Sequence, residues 1–122
     1  MRTLKASKAA ISKCKRRVQT HVHEFTSSTR LAEEGNDRHN HRIAGVTGQA
    51  IPFGSSHIHE IKFSNTDFFD HFHQLKKVFT GPAISVGNGK HVHLVKGMTT
   101  LVDGHVHPFK FATLIQSPLT KK

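Results

Sequence analysis

The sequence has no tryptophan, no tyrosine, one cysteine and four prolines among 122 residues. A single thiol forms no internal disulfide, so a disulfide-stapled secreted module is excluded, and Cys14 reads as a surface cysteine of a reducing compartment. No apolar run approaches the ~18 residues of a transmembrane helix. No apolar stretch of about 7–15 residues follows the N-terminal charges, as a secretory signal would require. The length suits one domain and excludes a large multidomain enzyme. G-x-S-x-G, a phosphate-binding loop and a Cys/His pair within the body are all missing. Mean hydropathy is negative, and a core this thin calls for help from a metal or from oligomerisation.

Charge of one sign is abundant but confined to the ends. The formal charge is +10, yet residues 1–20 carry Arg2, Lys5, Lys8, Lys13, Lys15, Arg16 and Arg17 with no acid, and Lys121 and Lys122 close the chain. Residues 21–120 are nearly neutral, with nine basic and eight acidic side chains. The chain therefore divides into a basic arm (1–20), flexible or a short helix, a body (21–116) and a basic tail (117–122). The arm reads first as a solvated segment and second as an anion-binding one, for nucleic acid, an acidic partner or a membrane surface.

What is abundant is histidine. All twelve fall into six H-x-H triplets: His21/His23, His39/His41, His57/His59, His71/His73, His91/His93 and His105/His107. The triplets form two interleaved sets, starting at 21, 57 and 91 and at 39, 71 and 105. Their surroundings repeat as well. T-G-Q-A-I-P-F-G-S-S-H-I-H matches T-G-P-A-I-S-V-G-N-G-K-H-V-H, and Asp37, Asp70 and Asp103 precede the second-set triplets at intervals of 33. The chain reads as three repeats of about 34 residues.

The residue between the histidines is β-branched or aromatic in five triplets, Asn40 being the exception. Turn residues separate the triplets, as in Gly35-Asn36-Asp37, Gly54-Ser55, Asn88-Gly89 and Asp103-Gly104, and Pro52, Pro82 and Pro108 oppose long helices. The predicted class is all-β, with short strands arranged as a β-prism or solenoid or as an intertwined oligomer. Phe25, Phe63, Phe72, Phe109 and Phe111, with Ile43, Ile61, Leu75, Val95 and Ile115, are the expected core.

On a strand, residues i and i+2 share a face about 6.5–7 Å apart, so two imidazoles can hold one ion; on a helix they diverge. Polar strand histidines on a solvent face are the bland alternative. Six pairs in register with a repeat favour a metal, because uncompensated imidazoles repel one another once protonated. Neutral imidazole suits Fe, Zn, Ni or Cu. Two meeting triplets would give four-coordinate sites and three ions per chain. Three meeting triplets would give octahedral sites and about two ions per chain, which the threefold repeat favours, either within one chain or across a trimer axis. A site saturated by protein ligands is structural. Asp37, Asp70 and Asp103 are candidates to orient histidine rings or simple turn residues; Glu24 and Glu60 are weaker candidates.

Leu101-Val102-Asp103-Gly104-His105-Val106-His107 looks like a metal-binding strand of amidohydrolases, but that barrel needs over ~200 residues. A cupin uses one H-x-H, not six. The runs H-V-H-E-F-T-S-S-T-R-L-A-E-E-G-N-D-R-H-N-H-R-I-A-G-V-T-G, D-F-F-D-H-F-H and D-G-H-V-H-P-F-K-F-A-T-L-I, with the segments quoted above, resemble the YmaF-like family of small bacterial histidine-repeat proteins over about residues 18–116. The resemblance implies a bacterial, spore-forming source and brings no mechanism with it. At motif level alone, repeated H-x-H is also similar to trimeric phage tail fibres, where histidines from three chains hold iron.

The expectation is a non-enzymatic metal-binding β-repeat protein, cytoplasmic or spore-associated, whose ions stabilise the fold or a homo-oligomeric or fibrous assembly. Metal storage or sequestration is the alternative. A cupin-like metalloenzyme and a nucleic-acid-associated protein using the basic arm rank below it. The expected partner is the chain itself.

Overall fold

The computed structural model describes residues 19–119. Residues 1–18 of the basic arm, Cys14 among them, and residues 120–122 of the basic tail lie outside them. The described residues form ten β-strands and one short 3-10 turn at Gly35–Asp37, with no α-helix among them. The strands are β1 (Val22–Ser28), β2 (Arg42–Val46), β3 (Ile51–Phe53), β4 (Ser56–Ile58), β5 (Glu60–Asn65), β6 (Gln74–Phe79), β7 (Ala83–Gly87), β8 (Lys90–Met98), β9 (Pro108–Ala112) and β10 (Gln116–Ser117). They make four small antiparallel sheets, ordered β9-β8-β7, β10-β1-β2, β3-β4 and β5-β6, and no closed barrel. The all-β class is as the alternating sequence requires.

Two kinds of hairpin alternate. Long ones join β1 to β2, β5 to β6 and β8 to β9, each with a second-set triplet at the entry to its returning strand. Short ones join β3 to β4 and β7 to β8, with tight turns at Gly54-Ser55 and Asn88-Gly89. In the short hairpins Pro52 pairs with His57 and Ala83 with His93. β1 is paired in the corresponding place by β10, with Gln116 opposite His23 and Ser117 opposite Val22.

The first-set triplets enter strands directly. The second-set triplets are extended connectors, pinned by the isolated bridges Ala32 to His39, Phe69 to His71 and Val102 to His105. The turns need left-handed backbone, supplied by Gly54 (φ 61°), Gly89 (φ 75°) and Gly104 (φ 79°).

β1 leaves the first histidine set at His23 and ends beside Thr29, whose N–H bonds the His41 carbonyl of the second set at 2.8 Å. The core lies between these ends: Phe25, Ile43, Ile61, Leu75, Val95, Phe109 and Phe111. Phe25 faces Gly45 across β1 and β2, and Phe109 faces Gly97 across β9 and β8. A Cβ at Gly45 would stand 2.8 Å from the Phe25 ring, and one at Gly97 3.0 Å from Phe109. At the matching place in β5 and β6 the pair is Ile61 and Val78, where a smaller side chain opposite a larger partner fills the same space.

Three expected core residues are exposed: Phe63 (58 %), Phe72 (41 %) and Ile115 (38 %). The inward face of β5 passes from Ile61 to Ser64, skipping two residues, which leaves Phe63 outward; on the partner strand Lys77 takes a φ of 52°. Phe72 sits between two inward histidines and so points away from them. Ile115 follows the Thr113-Leu114 pair that reaches the first histidine set, and lies on the outer side of that crossing.

Candidate metal centres: two histidine clusters

The triplets assemble within one chain. Ligand atoms of His21, His23, His57, His59, His91 and His93 lie within 4.8 Å of one another, as do those of His39, His71, His73, His105 and His107. His41 completes the second set slightly further out, its Nε2 3.3 Å from that of His71. All twelve predicted residues are therefore brought into two clusters of three triplets each, with no need of a second chain.

The second histidine of every triplet is fully buried. Each is held by a buried threonine. Thr47 accepts the His23 amide N–H at its hydroxyl (3.1 Å) and gives its own N–H to the His23 carbonyl (2.9 Å). Thr80 does the same for His59, Thr113 for His93, Thr29 for His41, Thr66 for His73 and Thr99 for His107. The sequence shows a signal for them, since Thr47, Thr80 and Thr113 recur every 33 residues. Threonine is so common in strands that its composition alone points to nothing.

The carbonyl after each threonine then fixes a histidine tautomer. His23 Nδ1 donates to Leu114 O (2.9 Å), His59 Nδ1 to Gly48 O (2.9 Å) and His93 Nδ1 to Gly81 O (2.8 Å). In the second cluster His41 donates to Asp67 O, His73 to Thr100 O and His107 to Arg30 O, at 2.8–3.1 Å. A carbonyl only accepts, so each Nδ1 carries the proton and each neutral ring turns a bare Nε2 lone pair toward the cluster centre. Burial keeps the rings neutral. Desolvation, reinforced by neighbouring imidazoles, lowers His21, His23, His59 and His91 to about 4. His107 is lowered to about 4 by the same causes, and His41, His57, His73 and His93 are lowered as well. The buried Nε2 of His59 has no hydrogen-bond partner. Convergent lone pairs repel one another unless a cation sits between them, so the donor set fits a metal.

The geometry is octahedral. In the first cluster the Nε2 atoms of His21, His57 and His91 form a triangle of 3.1 Å edges, and His23 and His93 join it at 3.1 Å. Such an edge belongs to an octahedron whose centre is about 2.2 Å from each nitrogen, a normal metal–imidazole distance. Ring centroids stand edge to face at 4.5–5.2 Å along every pair except His21 with His93, His23 with His57 and His59 with His91, the three diagonals. The second cluster repeats this at Nε2 separations of 3.2–3.3 Å, with His39 opposite His73, His41 opposite His105 and His71 opposite His107.

Carboxylates distinguish the two. Among the described residues, every approach of a carboxylate to a histidine within 4.0 Å is at the second cluster: Glu33 to His105 (2.9 Å), Asp67 to His41 (3.5 Å), and Asp103 (3.6 Å) and Asp70 (4.0 Å) to His71. Of the three repeated aspartates, Asp103 and Asp70 thus approach a ring through their side chains, while Asp37 reaches His39 through its backbone carbonyl (2.6 Å). Glu24 and Glu60 approach neither cluster. Glu33 and Asp67 were not legible, because only the fold brings them beside their histidines.

Searches of curated proteins and of solved structures give no match. The family described as spore germination protein GerY/YamF matches residues 18–115, a span holding every histidine and threonine of both clusters. The chain belongs to this family, the YmaF family.

Proposed function

We propose that the chain is a non-enzymatic, metal-stapled β-repeat protein associated with the spore, in which each six-histidine cluster holds one transition-metal ion, about two per chain. The observation that carries this is the locked tautomer of the buried histidines, which aims bare Nε2 atoms at one point in an octahedral arrangement. Six protein nitrogens leave no coordination position for a substrate, as befits structural rather than catalytic metal. Zinc in structural sites takes four ligands, so Fe(II) or Ni(II) fits six imidazoles better than Zn or Cu. The spore association follows the family description.

The finer architecture belongs to the same proposal. The recurring Thr–His–carbonyl bonds, long hairpins and short hairpins support three copies of one unit around a pseudo-threefold axis, a prism with an ion near each end and the apolar core between. Structural metal sites contribute on the order of 10 kcal/mol to folding, enough to matter beside so small a core. Self-association remains the proposed partnership. The exposed Leu31, Phe68 and Leu101, each two residues after a cluster threonine, ring the second cluster's end and offer apolar surface to another copy. Nucleic acid on the basic arm ranks below it.

X-ray absorption at the edge of the bound metal, on unchelated protein, tests the reading. Six nitrogen neighbours at about 2.2 Å are expected. Four nitrogens, or a shell dominated by oxygen, would overturn it.

A further inference from the structure

The outer face of the second cluster is formed by His39, His71 and His105, and two of the three have their outward nitrogen satisfied. His39 Nδ1 donates to Asp37 O at 2.6 Å and His105 Nδ1 to Asp103 O at 3.2 Å, with the Glu33 carboxylate 2.9 Å from that nitrogen. His71 differs. Its side chain is only 10 % exposed, and its Nδ1 is buried with no hydrogen-bond partner. That nitrogen faces two carboxylates, Asp103 Oδ2 at 3.6 Å and Asp70 Oδ2 at 4.0 Å, too far for hydrogen bonds but arranged around a common point. The three ligand atoms lie within 4.8 Å of one another. Both aspartates hold left-handed backbone, Asp70 at φ 71° and Asp103 at φ 51°, and both open to solvent, with side chains 86 % and 62 % exposed.

We propose that Asp70, Asp103 and Nδ1 of His71 form a capture site for a divalent transition-metal cation, through which the second cluster is loaded and exchanged. The inference rests on the reading of the six-histidine clusters as metal centres. Two carboxylate oxygens and one imidazole nitrogen suit a transition metal better than calcium or magnesium, which take oxygen alone. A cation arriving from solvent meets Nδ1 of His71 while the ring proton sits on Nε2, which stands 3.3 Å from Nε2 of both His39 and His41. As the cation moves to the Nε2 side, Nε2 gives its proton to solvent and Nδ1 takes one up, beside the Asp103 and Asp70 carboxylates. The proton is conserved, and the ring changes which nitrogen it offers. Among the described residues no carboxylate lies within 4.0 Å of a first-cluster ring, so that cluster has no such port.

The test is metal exchange in the full-length protein as purified, mixed with excess Co2+ and followed by displaced metal and by Co2+ absorption. Two phases are expected, and in the double variant Asp70→Asn/Asp103→Asn the fast one slows about tenfold while the slow one and the final ion count stay unchanged. Asparagine tolerates the left-handed backbone, and Asp103→Asn alone should slow the fast phase by a smaller factor. Glu24→Gln, away from both clusters, should change neither phase. A chain with two ions whose phases are unchanged, or slow equally, in the double variant overturns this inference alone. A chain with no ion overturns the six-histidine reading and this inference with it.

Discussion

The two clusters share an inner scaffold and differ in what surrounds their outer rings. Both bury one histidine of each triplet, fix its backbone with a threonine and lock its tautomer with a carbonyl. The first set is tight, with Nε2 separations of 3.1 Å, and has no carboxylate within reach; the second is wider, at 3.2–3.3 Å, and is rimmed by Glu33, Asp67, Asp70 and Asp103. The repeat therefore conserves the ligand geometry while the loops beside it tune the electrostatics. An ion surrounded only by neutral imidazoles keeps its full charge uncompensated in a buried site. An ion with carboxylates just behind its ligands is better compensated, and its ligands are more basic. On the proposed reading, one end holds its ion and the other both holds and exchanges it.

The largest effect should come from removing a buried ligand. His59→Ala and His73→Ala should each lose about one ion per chain and lower the melting temperature by about 10 °C or more, as loss of several kcal/mol requires in a domain this small. Elemental analysis with thermal denaturation reads both. A variant that keeps both ions would break the equivalence of the inner scaffolds.

Acid should have the next largest effect, on both clusters. A histidine whose folded pKa lies below 6.5 leaves the native state binding fewer protons than the unfolded chain, so its stabilisation is complete above about 6.5 and is lost as pH falls toward 4. His21, His23, His59 and His91 fall to about 4 in the first cluster, and His107 in the second. The melting temperature should be flat above about 6.5 and fall below it, and ring-proton NMR should show His21, His23, His59, His91 and His107 staying neutral to the lowest pH. Metal-ligand competition with protons acts in the same direction. A melting temperature independent of pH between about 5 and 8 would contradict the account.

Glu33→Gln sharpens the contrast. It leaves the His105 bond to Asp103 O in place but removes the charge beside the ring, and should weaken the second cluster's metal affinity by about 10- to 100-fold with no change in the first. Competition with a chelator of known affinity reads the two sites separately. Below this, Thr113→Val and Thr99→Val should each cost about 1–3 kcal/mol, because the amide N–H of His93 or His107 loses its acceptor; serine at either place should restore most of it. Gly45→Ala, whose Cβ would meet the Phe25 ring, should cost about 1–3 kcal/mol in denaturant unfolding and leave both ions in place.

The chemistry was legible in the sequence because it is periodic. The H-x-H spacing gives extended backbone with both rings on one face, though only the first set enters strands, and interleaving at one period is enough to sort His21, His57 and His91 from His39, His71 and His105. What was not legible depends on local irregularity or on distant pairing. Phe63 reads as core by simple alternation, but the buried face of β5 passes from Ile61 to Ser64 and leaves it outside. β10 is two residues long and matters because it meets β1 from the other end of the chain. Glu33 reaches His105 across a loop whose path no pattern records. The threonines recur on the same period as the histidines, yet their role emerges only when His23 N–H is found against Thr47.

Elemental analysis of the unchelated full-length protein tests the central claim most directly. The account predicts about two transition-metal ions per folded chain, one for each six-histidine cluster. A folded chain carrying no metal, or about three ions as paired triplets would require, would contradict it.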